Sequence, residues 1–93
     1  MQRNGVVLRL VVRNHPGVMS HVCGLFARRA FNVEGILCMP VDDGSRSVAL
    51  FLVDEDQRVE QLVRQLRKLE DVIEVAPLPD GRAAFDAVAR HLV

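Results

Sequence analysis

Ninety-three residues, 49% of them apolar, suffice for one packed core but not two, because single-core domains cluster near ~100 residues. The 12 Lys+Arg and 12 Asp+Glu cancel, so there is no global basic field to concentrate nucleic acid or an anionic membrane surface. No apolar run nears the ~20 residues of a membrane span, and a domain this small is often marginal alone, so self-association is expected.

In chain order, the opening MQRNG lacks the basic stretch and apolar core of a secretory leader, and a cytoplasmic protein is expected. Residues 6–13, VVLRLVVR, set Val6, Leu8, Leu10 and Val12 on one apolar face and Val7, Arg9, Val11 and Arg13 on a mixed one. This is a strand well buried on one side and partly on the other. Asn14–Gly17 is a turn with Pro16 suited to a first helical position. Val18, Val22, Leu25 and Phe26 then follow at the spacing of an amphipathic helix to about Ala30.

Residues 32–41 read as a second strand, with Gly35 a bulge and Pro40 the mark of an edge. Asp42-Asp43-Gly44 supplies a hairpin turn, and residues 47–53 form a third strand, apolar on both faces. Asp54 or Asp56 is placed to cap a helix whose stripe is Val59, Leu62, Val63, Leu66 and Leu69, with Glu60 and Arg64 an outward i, i+4 pair. Residues 72–78 form a fourth strand closed by Pro77 and Pro79, and a short tail helix runs from Ala83 to Leu92.

The order β-α-β-β-α-β with right-handed crossovers predicts an α+β, ferredoxin-like sandwich over residues 5–79, with both long helices on one face of a four-stranded antiparallel sheet. Residues 80–93 form the tail. The literal alternation leaves Val7, Val11, Ala49, Phe51 and Val53 on the other face, to be covered by a partner, by the tail helix, or by both.

No catalytic constellation emerges. His15, His21 and His91 lack metal-ligand spacing, and Ser20, Ser45 and Ser47 lack a nucleophile-elbow context. Cys23 and Cys38 form no C-x-x-C pair and read as buried free thiols. Four Phe with no Tyr or Trp leave no stacking platform of the RNA-binding kind. Nor does Asn14–Ser20 hold the arginine that an acylphosphatase-like phosphate loop requires.

One segment carries a mechanism. At Asn14-His15-Pro16-Gly17-Val18-Met19 a strand gives way to a helix, whose first N–H groups and partial positive charge suit a carboxylate. Pro16 has no N–H, so the donors come from Gly17, Val18 and Met19. Gly17 permits close approach, and the Asn14 amide both donates and accepts, which suits a zwitterionic amino acid. An ordinary capping turn explains the same residues, and Asn32, alone, is a turn former.

Asn14-x-x-Gly17, Gly24-Leu25-Phe26 through Arg29, and Phe31-Asn32-Val33-Glu34-Gly35-Ile36 together resemble the opening of ACT domains, specifically of the acetolactate synthase regulatory subunit. Asp56-Gln57-Arg58 and Leu66–Val72 resemble that family's second helix and its exit. The likeness covers about residues 5–78, with the brief tail of the short form.

The resemblance implies a non-catalytic homodimer that binds L-valine at the interface. Asn14 would hydrogen-bond the ligand and the Gly17, Val18 and Met19 backbone would hold its carboxylate. Asn32 and Val33 of the partner protomer would complete the walls. It also implies a catalytic large subunit that carries thiamine diphosphate, Mg²⁺ and FAD, with no cofactor in this chain. A ligand-free dimerisation and activator module is the alternative.

Overall fold

Alternation along the first strand sets up the architecture, because its two faces meet two different layers. The computed structural model describes residues 5–93, so the reading of a leader-free MQRN start lies outside them. The elements are β1 Gly5–Arg13, α1 Val18–Arg28, β2 Val33–Val41, β3 Arg46–Asp54, α2 Val59–Arg67, β4 Val72–Pro77 and α3 Arg82–Leu92. The sheet order is β2-β3-β1-β4 with every neighbouring pair antiparallel, the expected ferredoxin-like arrangement. Pro40 and Pro77 lie on the two edge strands, where a missing N–H is tolerated. The register of β2 on β3 slips between Val33 and Gly35, so the bulge expected at Gly35 is present.

The main core lies between the sheet and the helices α1 and α2. Leu8, Leu10 and Val12 pack there with Val22, Phe26, Leu62 and Leu66, all at most 1% exposed. Phe26 stacks on Phe51 with ring centroids 4.6 Å apart and meets Phe31 edge-on at 6.5 Å, an arrangement that adds to simple area burial.

Strand register corrects the face assigned to three residues. Leu8 pairs with Phe51, Leu10 with Ala49 and Val6 with Val53, so Ala49, Phe51 and Val53 face the helices. The opposite face carries Val7 and Val11 with Val48, Leu50 and Leu52. Because β3 is apolar on both sides, its alternation could not say which set points inward; only its pairing with β1 does.

Cys38 is likewise exposed rather than buried, and Cys23 is half-buried. Cys38 pairs with Ala49 on an edge strand, the outer margin of the sheet.

The tail helix covers part of the second face. Phe85 is buried against Val7 and Leu52, and a Cβ on Gly35 would stand 2.8 Å from its ring. Only a glycine at that bulge admits the aromatic ring so closely. Beyond it, Leu37, Met39, Val41, Val48, Leu50 and Val88 line an open apolar groove of about 590 Å³. Covering by the tail is therefore partial.

At the other end of the molecule Arg58 joins the two long helices. It donates to both Asp56 oxygens, donates to the Arg29 carbonyl at 2.6 Å and lies 4.6 Å over the Phe31 ring. Asp56 also accepts the Arg58 backbone N–H at 2.7 Å, so it shapes the turn before α2 while Arg58 itself occupies the cap position. The Arg58 guanidinium lowers the Asp56 pKa to about 2. A depressed carboxylate contributes stability above its unfolded value, near 4, and loses it as pH falls through about 2.

Gly35→Val is expected to lift α3 while leaving the helix-side core intact, read as faster amide exchange confined to residues 82–92. Phe85→Ala releases the same segment at a cost of about 3 kcal/mol, the lower end for a buried Phe, measured by urea unfolding.

Candidate functional site

The loop from β1 to α1 is stapled to the β2–β3 hairpin. Asn14 donates its backbone N–H to the Ser45 carbonyl at 2.9 Å and its Nδ2 to the Gly44 carbonyl at 2.8 Å. A carbonyl only accepts, so the amide nitrogen must face Gly44, and Oδ1 is left as an acceptor with no partner among the described residues. The hairpin itself is held by left-handed Asp42 and Gly44 and by Asp43, whose carboxylate accepts the Ser45 N–H at 3.0 Å.

The next four residues form a turn rather than the start of the helix. Val18 donates to the His15 carbonyl at 3.3 Å, and Gly17 sits at φ 86°, ψ −10°. These are the features of a type II turn with Pro16 at its second position and Gly17 at its third, where positive φ is required. Pro16 thus precedes the helix instead of opening it, because its fixed φ serves the turn.

The Val18 N–H is used in closing this turn and its side chain is buried in the core, so Val18 is not one of the free donors. Among the described residues, the N–H groups of Gly17, Met19 and Ser20 have no protein acceptor. They are the unpaired donors of the α1 N-terminus, and the space where a Gly17 Cβ would stand is empty to 4 Å.

His15 ties this loop to the far edge of the sheet. Its Nε2 lies 2.6 Å from Asp71 Oδ1 and its Nδ1 2.9 Å from the Pro16 carbonyl, while the Asp71 carbonyl accepts the Arg13 N–H at 2.9 Å. The hydrogen bond to the Asp71 carboxylate, and secondarily that to Pro16, raises the imidazole pKa above its ordinary value.

Asn32 and Val33 lie elsewhere. Asn32 is exposed at the start of β2 and donates Nδ2 to Glu34 Oε1 at 3.1 Å, while half-buried Val33 packs against the helix-side core. Val33 pairs with Val53 at the Gly5 end of the sheet, whereas Asn14 follows Arg13, which pairs with Arg46 at the opposite end. The intervening strand spans about 26 Å at ~3.3 Å per residue. One chain therefore unites Asn14, Gly17 and Met19 but holds Asn32 and Val33 apart from them.

Sequence reasoning missed both staples of the loop. Gly44 and Ser45 lie 30 residues or more from Asn14, and Asp71 is 56 residues from His15, so no local pattern signals them. Among the described residues no group of three or more His, Cys, Asp or Glu could hold a metal ion. No helix there is long and apolar enough to cross a membrane.

The chain that folds into this sandwich matches the model of the AHAS small subunit-like ACT domain over residues 8–74. The chain belongs to the acetolactate synthase small-subunit family. It is 56% identical to the acetolactate synthase isozyme 1 small subunit of Escherichia coli K12, over 92% of this chain and 90% of that protein. It is 39% identical to the Haemophilus influenzae acetolactate synthase small subunit over 80% of this chain but only 46% of that longer protein. Among solved structures, the Thermotoga maritima small subunit superposes with a TM-score of 0.72 at 35% identity, covering 78% of this chain and 46% of that one. The ACT domain of a Chlorobium tepidum GTP pyrophosphokinase shares the fold, with a TM-score of 0.64 at 21% identity over 80% of this chain and 96% of that one.

A raised imidazole pKa stabilises the fold fully below the unfolded value, near 6.5, and the contribution disappears as pH rises through the folded value. Thermal unfolding from about pH 5.5 to 9 is expected to show wild type exceeding His15→Gln at the acid end, with the gap closing toward the alkaline end. Asp71→Asn is expected to lose the same pH-dependent increment. Separately, Gly17→Ala places a Cβ at φ 86° and is expected to cost about 1–2 kcal/mol in chemical unfolding.

Proposed function

We propose that the chain is the regulatory subunit of an acetolactate synthase, binding L-valine between two copies of itself. In this reading it activates a separate catalytic large subunit, and valine turns it into a feedback inhibitor in branched-chain amino acid biosynthesis. The carrying observation is the grouping at one sheet end of the Gly17 and Met19 N–H donors with the free Asn14 Oδ1. Donors for a carboxylate and an acceptor for an ammonium are what a zwitterionic amino acid needs.

Asn32 and Val33 supply the rest only from a second chain. The β2 strand is an open edge, and a two-fold axis across it would run β2 antiparallel to its copy. That would bring the Asn32 end of one protomer beside the Val41 end of the other, near the hairpin to which Asn14 is stapled. Valine would then bridge the protomers and favour one dimer arrangement, acting only in so far as it binds the two arrangements unequally. Couplings of this kind are typically ~1–3 kcal/mol.

Thiamine diphosphate, Mg²⁺ and FAD belong, in this reading, to the large subunit, and the complex works in the cytoplasm. The Escherichia coli and Haemophilus influenzae relatives are both acetolactate synthase small subunits, which supports the partner assignment.

Calorimetry of the chain with L-valine is expected to give saturable heat that D-valine does not, lost in Asn14→Ala and in Asn32→Ala. In a reconstituted holoenzyme both variants assemble but escape inhibition. Mixing the two variants provides a sharper test. In a mixed dimer one site is doubly defective and the other intact, so binding returns at about a quarter of wild-type stoichiometry for random pairing. No recovery would sink the shared-site geometry, and no valine heat in wild type would favour the ligand-free activator module.

A further inference from the structure

We propose that His15 is a charged positioning residue of the effector loop, held as an imidazolium between the Pro16 carbonyl and the Asp71 carboxylate, and that binding of an amino-acid carboxylate at this loop is therefore proton-linked. The proposal rests on the amino-acid-binding reading above and assigns that site a regulation.

Geometry carries it. Both ring nitrogens lie within hydrogen-bond distance of atoms that only accept: Nδ1 at 2.9 Å from a carbonyl and Nε2 at 2.6 Å from a carboxylate. A neutral imidazole has one N–H and leaves one of these contacts without a proton; only the doubly protonated ring satisfies both. The residue lies between Asn14, whose Oδ1 is free, and the turn that presents the Gly17 and Met19 N–H groups. The Pro16 carbonyl it binds belongs to that turn.

The surrounding charges set the sign. Asp71 and Glu70, from the link between α2 and β4, both act on His15, and His21 of α1 lines a small hollow with them. On the hairpin side Arg46 is paired with Asp42, and the Asp43 carboxylate is turned to Ser45. Without its proton, His15 leaves two carboxylates uncompensated beside a loop that must admit a third. With it, the imidazolium neutralises part of that field and braces the turn. Affinity for a carboxylate ligand is thus highest at low pH and falls as pH rises through the His15 transition. By reciprocity, ligand binding draws protons onto the protein.

Two measurements on the intact chain test this. In the ligand-free protein at pH 7, long-range ¹H–¹⁵N spectra are expected to show both His15 ring nitrogens protonated; a neutral tautomer there overturns the proposal. L-valine calorimetry between about pH 6 and 8.5, in buffers of different ionisation heat, is expected to show about five- to tenfold weaker binding at the alkaline end, with net proton uptake; a tenfold loss corresponds to a rise of about one unit in the imidazole pKa on binding. His15→Gln is expected to bind at the wild-type alkaline affinity with a flat profile. Valine heat with a flat wild-type profile overturns the proposal alone. Absence of valine heat at every pH overturns the amino-acid reading and the proposal with it.

Discussion

Burial of β1 on both sides is the constraint from which the rest of the molecule follows. Leu8, Leu10 and Val12 are wholly inaccessible on the helix side, and Val7 and Val11 are nearly so on the other. A strand buried on two faces must lie inside the sheet with a layer on each side. The helices α1 and α2 supply one layer through the Phe26–Phe51 stack. On the second side α3, seated by Phe85 over Gly35, supplies only part of the other. Register is pinned accordingly, because a one-residue slip would exchange an entirely apolar row for one containing Arg9 and Arg13.

The same strand delivers the loop of the candidate site. Its last residue, Arg13, hands its N–H to the Asp71 carbonyl, and the next, Asn14, is tied to the hairpin. The loop is thus anchored to both edge regions of the sheet before the type II turn begins. Anchoring matters because donors at a helix start recognise a carboxylate only if they point at a common spot without reorganising. Here the Asn14 amide orientation is imposed by Gly44 and the His15 ring is held at both nitrogens.

The polar residues of the proposed site are divided between the two ends of the sheet. Asn14 and Asn32 stand at opposite ends of nine-residue strands, each hydrogen-bonded to its own neighbourhood. A closed two-fold assembly is the simplest way to bring such positions together, since the symmetry that reverses one edge strand also reverses its ends. In the function proposed for this member of the acetolactate synthase small-subunit family, each fold would contribute half a site.

Much of this was legible in the residues. Periodicity located every strand and helix to within one or two positions, the bulge at Gly35 and the edge at Pro40 included, because these are consequences of local sterics and of one-sided burial. The joined motifs disclosed the family, while the loop's residue types by themselves suited a carboxylate and an ordinary capping turn alike. Four things required tertiary structure. Which face of β3 points inward follows from pairing with β1, since both faces are apolar. The exposure of Cys38 depends on strand order. Whether Pro16 opens a helix or turns the chain depends on Gly17's conformation, and the partners of Asn14 and His15 come from 30 and 56 residues away. Local pattern records what a residue can bond. The contacts it makes are set by how distant segments share the limited space around one buried strand, and that competition is resolved only when the chain has packed.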